Sequence, residues 1–342
     1  MNILIVKLSA IGDIIHTLPS LAALRKLYPE ANITWAIEDA SSDLISDHPY
    51  LDRVIVSHRK QWINDLKKGR ITKPIREIRN FINDLRKQPY DLVIDFHGLI
   101  KSAAIVLLSS GKRKLGYDSM QELSGLFVNE KIPEDMNKHA IYRYLDFLRY
   151  LGADVEEPEF LIPIGEENKN RVEELLQRND IDKKGRFVAV NPVALWDTKL
   201  WADEKFAGLC DRIAKELKIS VIFTGTERDK LEYIQSRMKT PSVNLGGETT
   251  LRDLAYLYQR SSLLITTDSG PMHLAAAMGT PVIALFGPTD PSRTGPYGKV
   301  HVVIRRELHC SPCFLKKCDS MECMSGITIE EVFNDVREKL SG

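Results

Sequence analysis

The chain has 342 residues, more than one ordinary hydrophobic core accommodates and suited to two domains. Its 47 Lys plus Arg balance 47 Asp plus Glu, so a near-zero net charge gives no bulk attraction to nucleic acid and leaves only local basic patches. No run approaches the ~18 apolar residues of a membrane span, and "MNILIVKLSAIGD" meets Lys7 and Asp13 too early for a signal peptide, so a cytoplasmic protein is expected.

The first half alternates strand and helix. "NILIV" (2–6) is an apolar run of strand length, and a helical pattern over roughly 13 to 28 places Ile14, Ile15, Leu18, Leu21, Leu24 and Leu27 on one face. "NITWAI" (32–37), "RVIV" (53–56) and "DLVIDF" (91–96) read as further strands. Between the last two lies a basic segment with Arg59, Lys60, Lys67, Lys68, Arg70 and Lys73 around Trp62, helical in its second half. A helix over 139–152 stops at Gly152. After a Pro- and acid-containing stretch, a second alternating set begins at "FVAVNP" (187–192) and continues through "SVIFTG", "SVNLGG", "SLLITTD" and "PVIALFG", with helices between them and a last helix near 328–340. Strands alternating with helices predict parallel sheets. The expected partition is an N-terminal Rossmann-like domain over 1–160, a linker over 161–185, a second Rossmann-like domain over 186–326 and a C-terminal helix over 327–342 that could pack on either domain.

Three stretches carry chemistry. In "TTDSGPMH", Asp268, Ser269 and Gly270 stand where a strand ends and a helix begins, with Pro271 in the first turn. Free N–H groups and the helix dipole suit an anion there, with His273 as a further donor; an ordinary helix cap is the competing reading. In "KLSAIGDIIHTLP", Asp13 is either an N-cap or a carboxylate held ionised as a general base. In "LWDTKLW", Lys199 could neutralise a diphosphate or be a surface charge. The basic segment is a solvated face, or the seat of an anionic acceptor or lipid surface. No Walker loop, GxGxxG, GxSxG or HExxH pattern is present. Of five cysteines, Cys310, Cys313, Cys318 and Cys323 cluster as C-x2-C-x4-C-x4-C; reduced thiols compete with a structural zinc or iron site.

"VKLSAIGDIIHTLP", "DFHGLIKSA", "TKLW" and "TTDSGPMHLAAAMGTPVIALFGPTDP" together resemble the ADP-heptose:lipopolysaccharide heptosyltransferases of glycosyltransferase family nine, in order and spacing over nearly the whole chain. The likeness is strongest to the branch that adds the first heptose to Kdo-lipid A. It implies an α/β GT-B fold, two Rossmann-like domains with parallel sheets facing across a cleft. It also implies transfer with inversion and no required cofactor, at the cytoplasmic face of the inner membrane. By the resemblance Asp13 takes the acceptor proton, Lys199 neutralises the leaving ADP, and Asp268, Ser269, Gly270 and His273 hold sugar and phosphates. Asp229, with Glu227 as competitor, faces the ribose, and Thr249 lines the adenine pocket. Arg59, Lys60 and Lys101 meet the acidic acceptor. Ala194 and Leu195 occupy donor positions where the nearest relatives tend to offer hydroxyls, so donor contacts differ there. Competing readings are a family member with another acceptor (second core heptose or protein), a non-hydrolysing sugar-nucleotide epimerase, and a binding protein without turnover.

Overall fold

The computed structural model describes residues 1–118, 125–181 and 185–341. The chain divides into two compact units, Met1–Pro163 and Ile164–Gly342.

Unit 1 runs β1 (Asn2–Val6), α1 (Ile11–Leu27), β2 (Asn32–Glu38), α2 (Asp39–Ser42), β3 (Arg53–Ser57), α3 (Arg59–Lys67), α4 (Thr72–Leu85), β4 (Leu92–Asp95), α5 (Ile100–Leu108), β5 (Arg113–Tyr117), β6 (Glu130–Ile132) and α6 (Ala140–Tyr150). Its strands form one sheet in the order β3-β2-β1-β4-β5-β6, every pair parallel. The central strands are covered on both faces, which is why they read as unbroken apolar runs: Ile3, Leu4, Ile5 and Val6 are all fully buried. Each such side chain contributes about 1.5–3 kcal/mol of burial.

Unit 2 begins with α7 (Glu166–Arg178), which lies inside the stretch expected as a linker and packs on a later helix; residues 182–184 of that stretch lie outside the described residues. It continues with β7 (Phe187–Asn191), α8 (Asp203–Arg212), β8 (Ser220–Phe223), α9 (Arg228–Ser236), β9 (Val243–Asn244), α10 (Leu251–Arg260), which is the partner of α7, and β10 (Leu263–Thr267). Then come α11 (Gly270–Ala277), β11 (Val282–Phe286), α12 (Pro291–Thr294), β12 (Val302–Arg305), α13 (Glu322–Ser325) and α14 (Ile329–Ser341). Val332, Phe333, Val336 and Leu340 of α14 join the core built by β7, β8, β10 and β11, so the last helix belongs to unit 2.

The second sheet is ordered β12-β11-β10-β7-β8-β9, again all parallel. Counted from β7, this is the strand order of unit 1. In each unit the order reverses between the first and fourth strands, β1 and β4 or β7 and β10. Ligands of open parallel sheets bind at such a reversal, beyond the carboxyl ends of the strands.

Candidate active site

At the reversal point of unit 1, the loop leaving β1 delivers Asp13. The residue is not the N-cap of α1: the helix starts at Ile11, and the Asp13 carboxylate reaches back to accept the N–H of Ala10 at 3.1 Å. Its other oxygen accepts the Tyr144 hydroxyl at 3.2 Å, and Tyr144 in turn accepts from the Lys7 ammonium at 2.7 Å. Lys7 is buried, sits 4.0 Å from the carboxylate, and also donates to the Phe96 carbonyl. Partial desolvation pushes the Asp13 carboxyl up, but Lys7, the Ala10 N–H and Tyr144 outweigh it and hold the group below the usual carboxylate value. Burial pushes the Lys7 ammonium down, against the pull of Asp13. The result is an ionised carboxylate, 42 % exposed and oriented by a buried Lys–Tyr relay.

The loop leaving β4 supplies the rest. Asp95 is buried and accepts the N–H groups of His97 and Gly98 and the Ser102 hydroxyl, which shapes the turn into α5. The turn places His97 with both ring nitrogens enclosed and without a hydrogen-bond partner. Burial, with Lys7 and Lys101 nearby, pushes its pKa down to about 3, so the ring is neutral. Lys101 and Arg59 converge on Glu38, which is almost fully buried at the end of β2. Arg59 donates to it at 2.9 and 3.0 Å, and Lys101 lies 3.6 Å away while donating to Ser9. Lys60 is exposed at the start of α3 and close enough to depress the Lys101 ammonium, although burial is the larger cause. The three expected acceptor cations thus share one end of the sheet.

At the reversal point of unit 2, Asp268 follows β10 and is buried. Its carboxylate receives the Lys199 ammonium from the β7 side at 2.6 Å and the Thr289 hydroxyl from the β11 side at 2.6 Å. Lys199 also lies 4.6 Å from the centre of the Trp196 ring. Ser269 is the N-cap of α11, yet its side chain makes no cap bond; its hydroxyl pairs instead with Thr266 at 3.2 Å. The first-turn N–H groups therefore have no side-chain cap, and His273 is buried one turn in. Ala194 and Leu195 lie in the β7 exit loop, with the Leu195 side chain 93 % exposed.

Of the remaining donor positions, Thr249 is half-buried just before the capping Thr250 of α10. Glu227 is the N-cap residue of α9 and Asp229 lies in its first turn; both are exposed, so the geometry does not choose between them. Gly225, at the β8 exit with φ +151°, leaves room that a side chain would lose, since a Cβ there would come within 3.1 Å of Val193.

Cys310, Cys313, Cys318 and Cys323 fall in the segment between β12 and the end of α13. All four thiols are free, and among the described residues no group of three or more His, Cys, Asp or Glu is placed to hold a metal ion. The N–H groups of Cys313 and Phe314 are both tied to the Pro288 carbonyl, the Cys318 thiol is engaged by Met321 and Ser320, and burial, then the neighbouring Cys313 and Cys310, push the Cys323 thiol up.

Sequence reasoning did not single out Lys7, Glu38, His97, Tyr144 or Thr289. Lys7, His97 and Thr289 sat inside the motifs that carry the resemblance; Tyr144 reaches Asp13 across 131 residues, a separation that leaves no local signal.

Residues 78–324 match the family described as glycosyltransferase family 9 (heptosyltransferase). The chain is 29% identical over 324 residues to lipopolysaccharide heptosyltransferase 1 of Pseudomonas aeruginosa, covering 93% of this chain and 87% of that protein. Among solved structures it is similar to a glycosyl transferase of family 9 from Veillonella parvula, with TM-score 0.87, 25% identity and 99% and 97% of the two chains covered. The Escherichia coli heptosyltransferase WaaC with ADP superposes at TM-score 0.77 and 25% identity, over 99% of this chain and 100% of that one. Two parallel six-stranded sheets of matching order, a buried Lys–Asp–Thr cluster and these similarities agree on a GT-B-like α/β architecture, and the chain belongs to glycosyltransferase family 9, the heptosyltransferases.

Proposed function

We propose that this glycosyltransferase moves a heptose from ADP-heptose to the Kdo of lipid A, with inversion, in the synthesis of the lipopolysaccharide inner core. The observation that carries the reading is the unit 2 cluster: Lys199 clamped on Asp268, itself fixed by Thr289, beside a helix N-terminus left without a side-chain cap. That is a place for a diphosphate leaving group. A relative of the same fold was solved with ADP.

The chemistry follows from the residues. The acceptor oxygen attacks the anomeric carbon, the bond from that carbon to the phosphate oxygen breaks, and ADP leaves with the electron pair. A single displacement inverts the anomeric centre. Asp13 receives the acceptor proton; its low basicity in the free protein means that it is ready ionised, and that desolvation by a bound acceptor strengthens it. Lys199 and the α11 N–H groups meet the charge growing on the diphosphate, usually the largest catalytic contribution. Arg59, Lys60 and Lys101 meet the acceptor's carboxylate or phosphates, with neutral His97 as a further hydrogen-bonding group.

The reading includes a peripheral place at the cytoplasmic face of the inner membrane. No helix among the described residues is long and apolar enough to cross a membrane. The α3–α4 pair, however, exposes Ile63, Leu66, Ile71 and Ile75 among Lys60, Lys67, Lys68, Arg70 and Lys73. Its acids are already engaged, Asp65 by Arg70, Glu77 by Lys73 and the Trp62 indole, and Asp84 by Arg53, which leaves Lys60, Lys67 and Lys68 as the cations for the surface. Each such cation near an anionic leaflet contributes about 1 kcal/mol.

The test is incubation of the purified protein with ADP-heptose and heptose-free Kdo-lipid A, read by mass spectrometry. A one-heptose adduct with ADP release, lost in Asp13→Ala, supports the assignment. ADP binding without product moves the acceptor to a heptosylated core or a protein, and no ADP binding removes the nucleotide reading.

A further inference from the structure

The four-cysteine segment is built into the loops that carry Lys199 and Thr289. Thr198, next to Lys199, donates its hydroxyl to the Leu315 carbonyl at 2.8 Å. Ser311 donates to the Gly287 carbonyl at 2.7 Å, and the N–H groups of Cys313 and Phe314 both bond the Pro288 carbonyl, at 3.0 and 2.8 Å. Gly287 and Pro288 immediately precede Thr289. The cysteine loop is therefore fastened to the β7 exit that carries Lys199 and to the β11 exit that carries Thr289. The packing is close: a Cβ on Gly287 would stand 2.6 Å from the Met324 sulfur and 3.1 Å from that of Cys323.

What this loop presents is Lys316. Its ammonium lies 5.1 Å from the centre of the Trp196 ring, the ring that also receives Lys199 at 4.6 Å. Two cations on one indole lie within about a Debye length of each other, ~10 Å at 0.1 M salt. They differ in one respect. Lys199 is paired with Asp268, whereas Lys316 is exposed and has no carboxylate partner among the described residues. Two like charges gathered on one ring repel, and an anion close to both relieves that repulsion. The neighbouring loop positions that could have offered hydroxyls to an anion, Ala194 and Leu195, offer none.

We propose that Lys316 is a second donor-site cation, brought by the cysteine loop to the diphosphate held at Lys199, and that it supplies binding which Ala194 and Leu195 do not. The inference rests on the nucleoside-diphosphate reading of unit 2.

Calorimetric titration of the full chain with ADP and with adenosine tests it. Lys316→Ala weakens ADP about 5- to 20-fold and leaves adenosine within twofold of the wild type; Lys316→Arg restores most of the loss, and Lys316→Glu deepens it. Gly287→Ala, which pushes the loop off the β11 exit, reproduces the phosphate-specific loss without touching any charge. ADP affinity in Lys316→Ala within twofold of the wild type overturns the proposal, as does an equal loss for adenosine, which marks general damage to the unit. If the wild-type chain binds no ADP, the diphosphate reading fails and Lys316 falls with it; if the wild type binds ADP and Lys316→Ala binds it as tightly, Lys316 alone falls.

Discussion

The two units share one strand order and use its reversal point in opposite ways. In unit 1 the helix after the first strand is closed by the chain's own charge: Asp13 occupies the Ala10 N–H and is itself balanced by buried Lys7 through Tyr144. In unit 2 the helix after the fourth strand is left without a side-chain cap, because Ser269 turns to Thr266, and the carboxylate nearby, Asp268, is neutralised by Lys199 from another loop. One point presents an anion; in the proposed reading the other receives one. The fold supplies position alike in both; the sign of the chemistry comes from a few side chains.

The largest expected effect comes from removing the anion of unit 1. Asp13→Ala lowers turnover by about 10²–10⁴-fold, the usual contribution of a positioned base, while ADP affinity stays within twofold of the wild type. Steady-state kinetics with parallel ADP titration reads both. Activity unchanged in this variant would break the comparison, since Asp13 would then be no more than a helix-end carboxylate. The wild-type pH profile has a signed counterpart. With the Asp13 carboxyl held low, the acid limb of kcat/KM falls below the ordinary carboxylate range, and Tyr144→Phe or Lys7→Met moves it upward.

Next is the cation of unit 2. Lys199→Met reduces kcat/KM by about 10²–10³-fold if the ammonium meets charge developing on the leaving group. It also leaves Asp268 buried with only Thr289, so unfolding occurs at lower denaturant. Adding Asp268→Asn separates the two roles. The double variant regains stability, because no unpaired charge remains, but not activity. Recovery of both would reduce Lys199 to a structural counterion.

A third expectation concerns acid stability and falls mainly on unit 1. Burial pushes His48 down to about 4 and His97 down to about 3. Unfolded, each titrates near 6.5. Between that value and the folded pKa the unfolded chain binds more protons than the folded one, so stability falls as pH falls. The slope is at most about 1.4 kcal/mol per pH unit for each histidine, and it levels off below the folded pKa. Denaturant midpoints at pH 7, 6, 5 and 4.5 measure it, and His97→Asn makes the dependence shallower. An unchanged slope would show that His97 is protonated in the folded protein.

The same contrast explains what was legible in the residues. Central strands such as "NILIV" and "PVIALFG" announced themselves because both faces are covered. The short strand β6, with an exposed middle residue, β5, which opens on Arg113 and Lys114, and β12, with Val303 exposed, carry no such run; their conformation is set by the neighbour they pair with. At the sites, residues lying in strand–turn–helix stretches were readable: Asp13, Asp268, Ser269 and Lys199. Their partners were not. Tyr144 comes from a helix whose sequence shows only an amphipathic face, and Lys7 looks like an ordinary charge after a strand. The cysteine spacing suggested a metal, but local spacing does not reveal that the same segment is tied by backbone bonds to Pro288.

The smallest effect tests the openness of unit 2 directly. Ala194→Ser and Leu195→Thr restore hydroxyls to the β7 exit loop, and Leu195 is so exposed that its replacement costs no core packing. A net hydrogen bond to a phosphate oxygen contributes about 0.5–1.5 kcal/mol, which corresponds to ADP bound about 2- to 10-fold tighter. The gain depends on what already holds the diphosphate. If Lys316 fills the role of the missing hydroxyls, the pair of substitutions improves ADP binding more in a Lys316→Ala background than in the wild type, because neighbouring contacts to one ligand are not additive. Equal gains in both backgrounds would place the hydroxyls and Lys316 on different parts of the ligand. No gain in either would mean that the phosphates sit at the α11 N-terminus alone, and the contrast between a closed and an open helix end would then carry the whole difference between the two units.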